Sequence, residues 1–204
     1  MQYDLTLITV RPGAHMKVQP GIEAWLKANK TQGEFLACWY SEIGALNQIL
    51  LLHSYEDPAA LVADRDAQAR SADVFGAAEF AVSITRDTYE TFPVIGPMKP
   101  GAHGPVYEVR TYQLRPASLS PTIESWKAAV PDRLKLSPML AAMYTLTGPS
   151  PRFVHIWPYP SLNDRAQIRA KAIEIGVWPP KGGPDHLLTQ QTDIFLPAAF
   201  SPMR

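Results

Sequence analysis

Three short strand-like segments carry the side chains best suited to chemistry. Along 47–55 an alternating pattern puts Asn47, Ile49, Leu51, His53 and Tyr55 on one face. Along 106–114 Glu108, Arg110 and Tyr112 share a face, and along 152–157 Phe153, His155 and Trp157 do. A cavity walled by His53, Tyr55, Glu108, Arg110, Tyr112, His155 and Trp157 suits a flat aromatic or carbonyl ligand. An imidazole titrates near neutral pH, so His53 or His155 could act as general base. Arg110 could hold a carboxylate or an enolate oxygen. His53, Arg110 and His155 are therefore the catalytic candidates. Asn47, Tyr55, Glu108, Tyr112 and Trp157 are the substrate-binding ones.

Each has a plainer reading. A histidine in a strand is more often a hydrogen-bonded structural residue. Glu108 and Arg110 on one face can be an ion pair closing the end of a barrel. Trp25 and Trp126 fall on apolar helix faces and read as core, and Cys38 reads as a small buried hydrophobe. Arg65 and Arg165 read as surface or salt-bridged residues.

Several function classes are excluded. Gly182-Gly183 lies in a Pro-rich turn and matches no nucleotide-binding fingerprint, and no Gly-x-Ser-x-Gly elbow occurs. The histidines at 15, 53, 103, 155 and 186 show no metal-ligand spacing, so neither metal nor cofactor is expected. A haem carrier would need an exposed histidine at the cavity mouth. Lys plus Arg and Asp plus Glu are both 19, and a chain of zero net charge lacks the footprint of a nucleic-acid or anionic-membrane binder. One cysteine permits no internal disulfide and fits a reducing compartment. The opening MQYDLTLITVRPG lacks a signal-peptide pattern, and the longest aliphatic run, 49–52, is far short of the ~20 residues that span a bilayer. A cytoplasmic protein is expected.

The elements that must position these side chains occur twice. YDLTLITVRP at Tyr3 returns as YEVRTYQLRP at Tyr107, an offset of 104 (107 − 3). Ile22-Glu23-Ala24-Trp25 returns as Ile123-Glu124-Ser125-Trp126 at 101 (123 − 22), and Tyr40/Tyr144, Tyr55/Tyr159 and Thr88/Thr192 restore 104. Each half reads strand, helix, strand, strand, helix, strand, the ferredoxin-like βαββαβ order of an α+β fold. In the first half Ile22, Trp25, Leu26 and Asn29 give a helix face, and Asp57-Pro58 opens a helix over 59–75. Strands are expected at 3–10, 35–40, 47–55 and 80–85 in that half. The first half is 1–92, the Pro/Gly-rich stretch 93–105 is a linker, and the second half is 106–204. One such sheet has helices on one face only, and the second copy is the natural cover for the other.

The segment WYSEIGALNQILLLHSYED (39–57) resembles the NIPSNAP pattern of Trp, a Glu-x-Gly turn, a Leu-Asn pair and an aliphatic strand. YEVRTYQLRP, PSLNDR at 160–165 and LLTQQTDIFLPAAFSP at 187–202 are similar to that family's opening strand, second-helix start and closing strand. In the second half the hairpin motif is replaced by TLTGPS at 145–150, so a site needing the motif's Asn exists once, at Asn47. The resemblance implies a dimeric α/β-barrel fold and no settled activity. Related barrels include cofactor-independent monooxygenases, isomerases and haem-handling proteins, an analogy of fold alone. The expected function is small-molecule binding in the barrel cavity, with cofactor-independent monooxygenation as the reaction. The alternative is a non-enzymatic protein-interaction module with a filled cavity. Whether the chain is an enzyme stays open at this point, and a homo-oligomer is expected.

Overall fold

The computed structural model describes all 204 residues, which form two compact units. The first comprises Met1–Thr88, Lys99–Ala102 and Phe195–Arg204. Its elements are β1 (Gln2–Val10), α1 (Gln19–Ala28), β2 (Glu34–Ile43), β3 (Gln48–Tyr55), α2 (Pro58–Ala69), a single 3-10 turn at Val74–Gly76, and the start of β4 (Ala81–Thr91). β3 lies between β1 and β2 and is antiparallel to both. The register sets Asp4 opposite His53, Thr6 opposite Leu51 and Ile8 opposite Ile49, so these pairs share one face. Ile8, Ile49 and Leu51 pack there with Val18, Ile22 and Phe75 in one core. Each such fully buried side chain contributes roughly 1.5–3 kcal/mol.

The 3-10 turn reaches that core because it approaches α1 closely. A Cβ at Gly21 would sit 2.4 Å from the Gly76 carbonyl oxygen, so two glycines meet where no side chain fits. Phe75 then drops into the core, edge-on to Trp25 at 5.0 Å. α2 starts where Asp57 accepts a bond from the Ala59 N–H at 2.9 Å, with Pro58 at the first turn. The chain's last residues join this unit: the Cys38 N–H donates to Ser201 Oγ at 3.1 Å and the Trp39 indole to the Met203 carbonyl at 3.1 Å.

The second unit comprises Tyr89–Met98 and His103–Ile194. It contains β5 (Val106–Leu114), α3 (Leu119–Arg133), β6 (Ala141–Thr145), β7 (Arg152–Tyr159), α4 (Leu162–Glu174) and most of β8 (Leu187–Pro197). β7 lies between β5 and β6, again antiparallel, and the end of β4 pairs with β6 through Tyr89 and Thr145. Glu108 faces Trp157, Arg110 faces His155 and Tyr112 faces Phe153 across the β5–β7 ladder. α4 is capped by Ser161, whose oxygen accepts from the Asp164 N–H.

Both halves follow the βαββαβ order read from the sequence. Two elements differ. The helix expected over 59–75 stops at Ala69, and Phe75 instead has a left-handed backbone with φ of 59°. β4 runs on to Thr91 because its end finds a partner in β6. Tyr89–Met98 belongs to the second unit and Lys99–Ala102, where Gly101 bridges Met203, to the first, so the stretch read as a linker is divided between the two. No helix is long and apolar enough to cross a membrane.

Candidate functional site

β5 and β7 carry polar and aromatic side chains on their helix-facing side, and the second unit holds a cavity of about 200 Å³ there. The wall from the sheet is Arg110, Tyr112, Phe153, His155 and Trp157, with Trp126 and Arg133 from α3 and Arg169 from α4. Trp178, in the Pro-rich strap after α4, closes one side, 4.9 Å from the Trp126 ring and 5.6 Å from Trp157. An apolar cavity of about 150 Å³ admits one benzene ring. This one therefore has room for a ligand of one or two rings. It lies between the sheet and its own helices, whereas the sequence reading placed it inside a barrel formed by both halves.

The electrostatics follow from one buried carboxylate among four guanidiniums. Glu108 is fully buried and accepts from Arg110 at 2.7 Å and Arg165 at 2.6 Å, with Arg169 at 3.9 Å. Burial alone would raise its carboxyl, but the bonds from Arg165 and Arg110 outweigh it and hold the group below its ordinary range. Arg110 is further committed to the Tyr112 hydroxyl at 2.6 Å. Arg133 is different. It is 2% exposed, lies 4.3 Å over the Trp157 ring and donates to Ser137 Oγ at 2.9 Å, yet pairs with no carboxylate. Its place in the last turn of α3 puts the cation at the negative end of that helix, which offsets part of the cost of burial.

His155 is 2% exposed and held neutral. Burial, then the charges of Arg110, Arg169 and Arg133, push its imidazolium well below the ordinary range. The Trp157 indole N–H can only donate, and it lies 2.6 Å from Nδ1, so the ring proton sits on Nε2. That Nε2–H is buried and has no hydrogen-bond partner in the protein. A histidine whose lone pair is already occupied is a hydrogen-bond donor. The general-base role expected of His155 does not fit this geometry.

The NIPSNAP family profile matches residues 3–94 and 107–202. The chain belongs to the NIPSNAP family. It is 29% identical over 146 residues to a NipSnap homolog from Dictyostelium discoideum, an alignment covering 70% of this chain and 65% of that protein. Among solved structures, an anthrone oxidase-like protein matches with a TM-score of 0.65 and 13% identity, covering 97% of this chain and 91% of that one. A candidate monooxygenase from Lactobacillus acidophilus matches at 0.65 and 8% identity, covering 96% and 92%. At these identities the likeness speaks for the fold alone. The chain has the dimeric α/β-barrel type of fold, built from two tandem ferredoxin-like NIPSNAP repeats.

Within this NIPSNAP chain the sequence candidates divide. Arg110, Tyr112, His155 and Trp157 line the second-unit cavity, and Glu108 lies just behind it as the partner of Arg110. His53, Tyr55 and Asn47 belong to the first unit and do not line it. His53 is 2% exposed, packs against Phe35 at 5.3 Å and is lowered to about 4, chiefly by burial, so it too is neutral. The Tyr55 hydroxyl donates to Asp64, which also accepts the Gln32 and Gly33 N–H groups and so fixes the loop before β2. Asn47 sits at φ of 59° in the β2–β3 turn, and its side chain accepts from the Gly13 N–H at 3.1 Å. Cys38 is buried, and burial pushes its thiol up. Arg133, Arg169 and Trp178 were not among the candidates. Arg133 left a signal: Trp126, Val130 and Arg133 fall at i, i+4 and i+7, which puts a cation on the apolar stripe of α3.

Proposed function

We propose that the second-half cavity binds a one- or two-ring aromatic molecule bearing a carbonyl or enolate oxygen, and that the chain is a cofactor-independent monooxygenase acting on it. The observation that carries this reading is the pairing of aromatic walls with the buried guanidinium of Arg133, the half-buried ones of Arg110 and Arg169, and an unpartnered His155 N–H. Fixed donors in a dry site stabilise negative charge on oxygen where it develops, and an enolate or phenolate is the electron-rich form that meets O2 without a cofactor. An activated methylene fits the stoichiometry: it takes one oxygen atom as a ketone and releases the other as water with its two hydrogens, so no external reductant is needed. Two structures of the same fold are described as an anthrone oxidase-like protein and a candidate monooxygenase, which agrees with an oxidative reaction. An open cavity favours this reading over an interaction module, for which a filled one was expected.

The test is a thermal-shift panel of phenols, enolisable aryl ketones and quinols, followed by oxygen uptake with every compound that raises the melting temperature. Shifts lost in Trp157→Ala, with oxygen consumed in the absence of added cofactor, are the expected result. Shifts without oxygen uptake would leave a binding protein, and no shifts would overturn the reading.

A further inference from the structure

We infer that the cavity is an anion site, and that its ligand is an aromatic carboxylate anchored by Arg133 with His155 Nε2–H as second donor. The inference rests on reading the cavity as a small-molecule site. It starts from a charge imbalance. Arg110, Arg133, Arg165 and Arg169 gather around one carboxylate, Glu108, and that carboxylate is occupied by Arg110 and Arg165. Arg133 faces the same cavity in contact with neutral groups, the Ser137 hydroxyl, the Trp157 ring and the Tyr159 phenol, while Glu108 attracts it only from beyond ion-pair distance and Arg169 repels it. A buried guanidinium with no carboxylate in contact is costly, and a planar fork of donors is matched by a carboxylate.

The other groups in the cavity agree in sign. His155 offers a buried N–H and no free lone pair. Arg169 lines the wall, its only carboxylate contact 3.9 Å away. Glu108, the one acceptor with full charge, is turned away into its arginine pairs. The cavity therefore presents donors and cations to its contents and no base. A carboxylic acid is already ionised at neutral pH and needs no base in the cavity, whereas its amide brings no charge for the guanidinium to pair with. The aromatic walls of Trp126, Phe153, Trp157 and Trp178 select a flat ring behind the carboxylate.

The experiment is isothermal titration calorimetry of the full chain with benzoate and 2-naphthoate, each against its amide, benzamide and 2-naphthamide. The wild-type protein should bind the carboxylates at least tenfold more tightly than the amides. In Arg133→Gln that ratio should fall to within about twofold while amide affinity is kept, and Arg133→Lys should restore part of it. If Arg133 serves packing alone, Arg133→Gln would lower the melting temperature and leave the ratio unchanged, which would overturn the assignment. If Arg133→Gln does not fold, the wild-type ratio decides. Equal binding of acids and amides overturns the anion site and leaves the small-molecule reading standing. Binding of neither overturns both.

Discussion

The two halves share a frame and differ in what fills it. At the offset of 104, Asp4 of β1 corresponds to Glu108 of β5, and Arg65 of α2 to Arg169 of α4. In the first half Arg65 pairs with Asp4, and in the second Arg165 and Arg169 approach Glu108. Between strand and helix the halves diverge. Thr6, Ile8, Ile49 and Leu51 stand where Arg110, Tyr112, Phe153 and His155 stand. Ile8, Ile49 and Leu51 of the first set close on Phe75 as a continuous core, and the second set leaves about 200 Å³ open beneath Trp178. One copy of a repeat that keeps its apolar interior secures the fold, which frees the other to hold charge and space.

The sharpest break of that contrast is to remove the plug. Phe75→Ala deletes a side chain that is 1% exposed, and by analogy with other buried aromatics it should cost about 3–5 kcal/mol of unfolding free energy in urea. Trp178→Ala, in the half-buried strap, should cost roughly 1–2 kcal/mol but weaken ligand binding tenfold or more. Equal stability losses would erase the distinction between core and cavity.

The acid frame comes next. Glu108→Gln leaves the half-buried guanidiniums of Arg110 and Arg165 without their counter-charge and should cost about 3 kcal/mol by the same measurement. A loss below 1 kcal/mol would show that the pairs are replaceable.

Acid should act on the neutral histidines. His53 is lowered to about 4 by burial and His155 is also lowered, so each binds a proton in the unfolded chain before it does in the folded one. Their stability is fully present above about pH 6.5, the ordinary histidine value, and is lost as pH falls from there toward the folded values. For His53 the shift corresponds to about 3 kcal/mol by pH 4. His53→Phe should flatten the curve of unfolding free energy against pH in that window, and an unchanged slope would contradict burial of the neutral form.

The smallest effect concerns Asn47. Asn47→Ala removes the bond from the Gly13 N–H and places an alanine at positive φ, for a loss of about 1 kcal/mol with ligand affinity unchanged. A change in affinity would restore Asn47 as a binding residue.

Much of the fold was legible because the repeat states it twice. The return of Tyr107 to Tyr3 and of Trp126 to Trp25 fixed the element order, and strand alternation put Arg110, Tyr112, His155 and Trp157 on one face. Placing His53 and Tyr55 with them failed for a physical reason. Alternation tells which side chains share a face of a strand, and no more. The choice between sheet interior and helix side is made by the packing of Ile22, Phe75 and Trp126, far away in sequence. The lowered basicity of His155 was equally out of reach, since it depends on burial and then on three arginines from three elements, while a 2.6 Å bond from Trp157 occupies its lone pair. Arg133 was readable from its place on the stripe of α3, where a single cation interrupts an apolar row.

The most direct test of a cavity confined to the second half uses the five tryptophans as reporters. In a spectrum of isotope-labelled indole N–H groups, benzoate or benzamide should shift the signals of Trp126, Trp157 and Trp178, which line the cavity. Those of Trp25 and Trp39, in the first unit, should stay in place. Movement of Trp25 or Trp39 with the other three unmoved would contradict the assignment of the site to the second half.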